Sequence, residues 1–463
     1  MNPKHLYIAG CILCGAMLTS CGDDFFEQYP SNNITESNHS QTDDDFNQGV
    51  RGCYDKLKSQ SGYFINELAY RSDESRLLAM ATSTQDRYDL DHFQDVPSNG
   101  ILSDIWNAWY NGIYRCNDVL DHMAGKESLP NYRQYRGELL FIRSWFYFNL
   151  YRAFGVVPVT RTVVSPADAK FIPRCTQEEM YELLRSDLTE AAALLPDTPP
   201  SAEKARVANT AAWTLLAKVQ LTFNRPAEAR TSLDEAMKNT NFGMMPTTAD
   251  ALDVNKKYNK ELLLVLHYEK SNGEGHGYWY SQKTNKYAEI ESPTQIIRDL
   301  YSADDNRRPL IWDYNKVGSV YVLNKWMDEY DATYNTQVGN DFPLLRYADI
   351  YLMYAEALGA TSVADALPWL NRTRTRAGLT ELTTAEVPSH DEFIKALADE
   401  RGREFAIEGH RWFDLVRLGL AIPTMRALGY SLDEHNLVFP IPNAQIEIVN
   451  NTSILWQNPG YNS

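Results

Sequence analysis

The chain of 463 residues is short of cysteine, of basic charge and of long apolar runs, and each shortage closes off a class of protein. Of its six cysteines, Cys11, Cys14 and Cys21 lie at the very start, leaving Cys53, Cys116 and Cys175 for everything else. Three thiols do not make a disulfide framework, and no Cys-x-x-Cys spacing follows residue 21, so no zinc motif is present. Lysine and arginine number 44 against 61 aspartates and glutamates, a formal net charge of -17. That balance argues against a nucleic-acid partner, whose phosphates are held by clustered Lys and Arg.

Catalytic and cofactor signatures are missing too. There is no G-x-S-x-G elbow, H-E-x-x-H helix, Walker loop or EF-hand loop. Gly273, Gly275 and Gly277 fall in GEGHG, which is not the dinucleotide fingerprint and is not followed by Lys-Ser or Lys-Thr. The nine histidines are scattered. The reading is no enzyme, no cofactor and no metal.

One apolar run stands out, Leu6 to Leu18 behind Lys4 and His5, too short for a permanent membrane helix and built like a signal peptide over residues 1-20. Leu18-Thr19-Ser20-Cys21 resembles a bacterial lipobox, which makes Cys21 the expected lipidation site and membrane anchor. Residues 21-40 are polar and aperiodic, as a tether would be. Asp23 and Asp24 resemble the acidic export signal of surface lipoproteins.

Beyond residue 40 helical periodicity dominates. Thr42 and Asp45 can cap a helix with Phe46, Val50, Cys53 and Leu57 on one face. Amphipathic stretches follow over 102-123 and 131-154, the second opened by Asn131 and Gln134 as an approximate capping box; a better box is Thr176 with Glu179. A helix is expected from Ser201 through Phe223, and another from Pro226. The polar segment 82-95 reads as a loop carrying Tyr88. Residues 262-268 read as a strand, and 307-326 as a hairpin that places Trp312, Tyr314 and Tyr321.

The stretch Asp399 to Leu418 reads as one helix stacking Glu400, Glu404 and Glu408 on a face, with Arg401, Arg411, Asp414 and Arg417 among large aromatics. Buried unpaired charge is costly, so these residues are expected to form a salt-bridged clamp. The alternative is that Glu404, or Asp313 elsewhere, serves a glycoside hydrolase.

Together these stretches resemble the SusD/RagB family of outer-membrane nutrient-binding lipoproteins. The residues that carry the likeness are the Cys21 lipobox with Phe25, Phe26 and Pro30; FIRSWFYFNLYRAFGVVPV around Arg143, Tyr147 and Arg152; PLLRYADIYLMYAEAL around Arg346, Asp349 and Glu356; Asn371, Arg374 and Gly378; the charged stretch; and the ending with Phe439, Pro440 and Gln457 to Tyr461. The resemblance implies a mostly α body with four tetratricopeptide-like helical hairpins and a loop-rich ligand face with short strands, an N-terminal region over 41-245 and a C-terminal region over 246-463. It also implies a lipid-anchored protein on the cell exterior that delivers glycan to a TonB-dependent, SusC-like transporter without catalysis. The family's ligand contacts are not tied to motifs. Composition therefore selects the candidates: Tyr88, Tyr278, Trp279, Tyr280, Trp312 and Tyr314, aromatics in or beside polar loops, flanked by Asp86, Asp313 or Asn315. A ring platform with polar neighbours suits a sugar. A peptide ligand on the same fold, or a purely transporter-binding adaptor, remain the alternatives.

Overall fold

The computed structural model describes residues 40-59, 71-77, 85-269, 290-291, 293-315, 320-323, 325 and 339-461. The leader, Cys21, the tether and three candidate rings, Tyr278, Trp279 and Tyr280, lie outside the described residues.

The architecture is mostly α. Its principal helices are α1 (Asp43–Ser59), α2 (Gly100–His122), α3 (Tyr132–Phe154), α4 (Gln177–Leu194), α5 (Asn209–Thr222) and α6 (Pro226–Lys238), then α7 (Tyr347–Gly359), α8 (Val363–Arg376), α9 (His390–Glu404) and α10 (Arg411–Arg417). Each packs on the next from α2 to α6, α7 continues the array against α6, and α8 and α9 close over α7. This succession of packed neighbouring helices is compatible with the helical hairpins that the resemblance implies. Central α3 buries Phe141, Phe146 and Phe148 on several sides, as a helix enclosed by others must. It comes so close to α2 that a Cβ on Gly112 would lie 2.3 Å from Phe146. Cys53, Cys116 and Cys175 are free and buried, and serve as small hydrophobes in the packing.

The helix ends follow local chemistry, with three departures. Thr176 and Glu179 do form a reciprocal capping box, and Thr42 with Asp45 exchange the same pair of bonds. Asn131 does not cap α3; its backbone N–H and amide donate to Asp43 of α1 instead, at 3.1 and 2.8 Å. The helix expected from Ser201 starts at Asn209, because Arg206 turns inward to the Glu138 carboxylate at 2.6 Å and the Val207 N–H donates to the Tyr54 hydroxyl. The polar segment 82-95 is not all loop: Gln85–Asp91 is a short helix, anchored by buried Leu90 and by a 2.6 Å bond from Gln85 to Asp89.

The charged stretch is two helices. α9 ends at Glu404, Ile407 and Gly409 adopt positive φ of 55° and 77°, and α10 starts at Arg411. Glu408 therefore sits in the turn and not on a shared helical face. The turn nonetheless returns it to its partners. Arg346, at the end of β6 (Phe342–Arg346), bonds Glu404 Oε1 at 2.9 Å, Glu408 Oε1 at 2.7 Å and Glu261 Oε1 at 2.9 Å. Arg307 bonds Glu400, Glu404 and Asp305, and Arg376 bonds Glu261 and Glu404. Next to it Arg401 joins Asp349 of α7 to Asp414 of α10, and Arg411 reaches Asp73. All these residues are buried except Arg376, which is partly exposed but has an enclosed side chain. Burial pushes the Glu404 carboxyl up, but Arg376, Arg346 and Arg307 outweigh it and hold the group well below the usual carboxylate range. The expected clamp is present, and it ties sequence-distant elements into one body.

The strands are short and pair in twos: β1 (Arg76–Leu77) with β3 (Ile290–Glu291), β2 (Leu262–Leu266) with β6, and β4 (Trp312–Asn315) with β5 (Val320–Leu323), all antiparallel.

Candidate functional site: an aromatic hairpin

The β4–β5 hairpin places aromatic rings at the surface. Trp312 and Tyr314 are two residues apart and so project from one face of β4, and the register sets Tyr314 directly opposite Tyr321. The Tyr314 and Tyr321 rings meet edge-on with centroids 5.1 Å apart, and Trp312 meets Tyr321 at 5.5 Å. Tyr314 and Tyr321 are 43% and 42% exposed, which is uncommon for large rings and leaves ring surface open to solvent, while half-buried Trp312 rests on the core. Two guanidiniums back the rings: Arg298 lies 3.8 Å from the Tyr321 centroid and Arg308 lies 4.7 Å from that of Trp312. Arg298 is itself held by the Pro293 carbonyl and by Gln295 Oε1 at 2.7 Å. Cation and ring attract each other, so the platform is set before any ligand arrives.

Tyr88 is not part of this cluster. It lies half-buried on the short helix 85-91 and stacks on His92, centroids 3.7 Å apart. His92 in turn meets Tyr430 at 5.8 Å. Tyr430 walls a small pocket of about 70 Å³ whose other sides include Ser75, Arg76, Gln295 and Ile296. Gln295, on the opposite wall of that pocket, is the residue that holds Arg298 behind the hairpin. Asp91 is buried nearby, and burial pushes its carboxyl up to about 8 against the opposing pull of the Leu77 backbone, Arg76 and Arg71.

Two of the polar neighbours expected to flank the rings bond the backbone instead. Asp86 accepts the Gly100 N–H at 3.0 Å at the start of α2, and Asp313 accepts the N–H of Tyr314 at 2.7 Å. Tyr321 and Arg298 join the hairpin rings, and His92 and Tyr430 adjoin Tyr88; none of the four was among the predicted site residues. Tyr321 could have been read from the hairpin register; Arg298 and Tyr430 come together only through tertiary packing. No cluster of three metal-ligating side chains occurs among the described residues.

A helical scaffold presenting a pre-set aromatic surface on a short hairpin is a class that the comparisons define further. The profile described as SusD family matches residues 277–461, and that described as starch-binding associating with outer membrane matches residues 24–221. SusD-like protein P2 of Formosa agariphila is 26% identical over 500 residues, spanning 96% of this chain and 98% of that protein. Among solved structures, a laminarin binding SusD-like protein superposes with a TM-score of 0.75 at 24% identity, covering 91% of this chain and 100% of that one. Surface glycan-binding protein A from Bacteroides thetaiotaomicron in complex with laminarihexaose superposes at 0.74 with 20% identity, covering 90% and 100%. The chain belongs to the SusD/RagB family.

Proposed function

We propose that this protein is a cell-surface lipoprotein that binds oligosaccharide on the aromatic hairpin and passes it to a TonB-dependent transporter, with Cys21 as its lipid anchor in the outer membrane. The observation that carries the reading is the pair of half-exposed rings, Tyr314 and Tyr321, braced by Arg298. Sugar rings offer C–H groups on their faces and hydroxyls at their rims, which matches an aromatic platform edged by polar groups. Laminarin and laminarihexaose, named for two similar structures, indicate the ligand class. Tyr278, Trp279 and Tyr280 are proposed to extend this surface, and Tyr88 to mark its far end.

The same geometry speaks for binding without chemistry. Glu404, the carboxylate a hydrolase reading needs, is fully enclosed by three arginines, and Asp313 bonds the backbone beside it. Isothermal titration against a panel of neutral oligosaccharides tests the proposal. Binding by at least one of them, weakened by Tyr314→Ala, is expected; silence across the panel, or release of shorter products from a bound glycan, contradicts it.

A further inference from the structure

A second concave surface lies on other elements. Two open clefts, of about 290 and 440 Å³, adjoin across strand β2 and share Lys204, Arg206, Tyr258 and Val265 in their walls. Each is of the size at which small-molecule sites begin, roughly 300 Å³. The larger is closed on its far side by α1.

The charge of this trough opposes that of the protein. Arg51, Lys58, Lys204, Arg206 and Lys260 line the two clefts, against two acids, Asp55 and Glu203, in a chain of net charge -17. Glu203 is already neutralised by Arg51 at 3.0 Å and Arg206 at 2.6 Å. Asp341, which bonds His267 at 2.8 Å, is the acid nearest that histidine. Lys204 and Lys260 are exposed and pair with no carboxylate among the described residues. Their charge is left for something from outside.

Tyr258 stands between the two clefts with φ of 57°, a left-handed conformation that costs a residue other than glycine and collects where a side chain must be aimed. Its half-buried ring lies 5.1 Å from the His267 imidazole, tilted by 36°. The trough thus combines an aromatic wall, two uncommitted ammonium groups and room for a short oligomer.

We propose that this trough is a second saccharide site, separate from the hairpin, that takes a sugar bearing an oxyanion, carboxylate or sulfate, with Lys204 and Lys260 meeting the charge and Tyr258 the ring face. The choice of a sugar rests on the glycan-binding reading; the choice of an anionic one rests on the trough alone.

The test is calorimetric titration of the full chain with trigalacturonate, a sulfated galactan tetrasaccharide, neutral maltotriose, an acidic peptide and inorganic sulfate, at low and high salt. The variants are a Lys204→Ala, Lys260→Ala double substitution, Tyr258→Ala, and Tyr314→Ala on the hairpin. At least one acidic sugar is expected to bind, with affinity falling about tenfold in the double variant and at high salt, and unchanged in Tyr314→Ala. Because the two lysines are exposed, the double variant is expected to keep its fold, checked by circular dichroism. The carboxylated and sulfated probes tell which oxyanion is preferred. The proposal is overturned if neither acidic sugar binds, if the double variant binds as tightly as the native chain, if inorganic sulfate competes as well as the sugars, or if the acidic peptide binds in their place. Neutral sugar binding lost only in Tyr314→Ala would leave the hairpin reading standing without the trough.

Discussion

Replacing Arg346 by methionine probes the scaffold most sharply, because a flexible apolar chain fills much of the arginine's volume while removing its charge. The guanidinium makes hydrogen bonds to three carboxylates and to the Glu404 carbonyl, all between 2.7 and 2.9 Å. After its loss Glu261 and Glu404 keep Arg376, Glu404 keeps Arg307, and Glu408 keeps Lys325 at 2.5 Å. The remaining cations no longer balance the buried acids. Breaking a buried pair from one side costs about 3–5 kcal/mol, and this site belongs in that range. Urea unfolding followed by tryptophan fluorescence measures it as a lowered midpoint with an unchanged slope. Arg374→Met is the comparison: its guanidinium lies 3.8 Å from Glu400 and is partly exposed, so a loss under about 1 kcal/mol is expected. Equal losses in both variants would refute the idea that the enclosed network holds the body together.

Three further outcomes follow from particular residues. Burial first, then the neighbouring Asp73, pushes the Glu74 carboxyl up to about 8 from an ordinary 4.5, so its folded form favours the proton and stability drains away as pH rises between those values; Glu74→Gln should unfold at nearly the native temperature at pH 5 and at a higher one at pH 8.5, and an equal shift at both would contradict the assignment. Burial raises the Asp349 carboxyl, but Lys218 and Arg401 prevail and hold it far below its ordinary value, so its contribution is complete above about pH 4 and is lost on acidification; Asp349→Asn should cost about 3–5 kcal/mol at neutral pH and flatten the acid limb of the stability curve. On Gly359 of α7 a Cβ would stand 2.1 Å from the Phe393 ring, so Gly359→Ala should lower stability by about 1–3 kcal/mol, read as a denaturant midpoint.

The scaffold was legible because its signals are local or repeat along the chain. Apolar residues at helical spacing foretold α1 to α6, and the alternation of charge with aromatics from Asp399 onward foretold a salt-bridged core. What escaped was geometry set by partners distant in sequence. Asn131 was diverted to Asp43 from 88 positions away, and Arg206 was pulled inward by Glu138, which delayed α5. The turn at Ile407 and Gly409 was hidden because helical spacing continues through it. The hairpin rings were readable from strand alternation and a turn between two apolar runs. Arg298, His92 and Tyr430 were not, since nothing in a linear chain announces that a short helix, a loop and a late turn meet at one surface.

The central claim is that ligand rests on rings exposed by a rigid body, and the most direct measurement is a crystal structure of the protein with a bound neutral oligosaccharide from the titration panel. The account predicts a sugar ring lying flat within van der Waals contact of Tyr314 or Tyr321, with the Arg346 network unmoved. A sugar bound elsewhere, with both tyrosine faces still open to solvent, would contradict it.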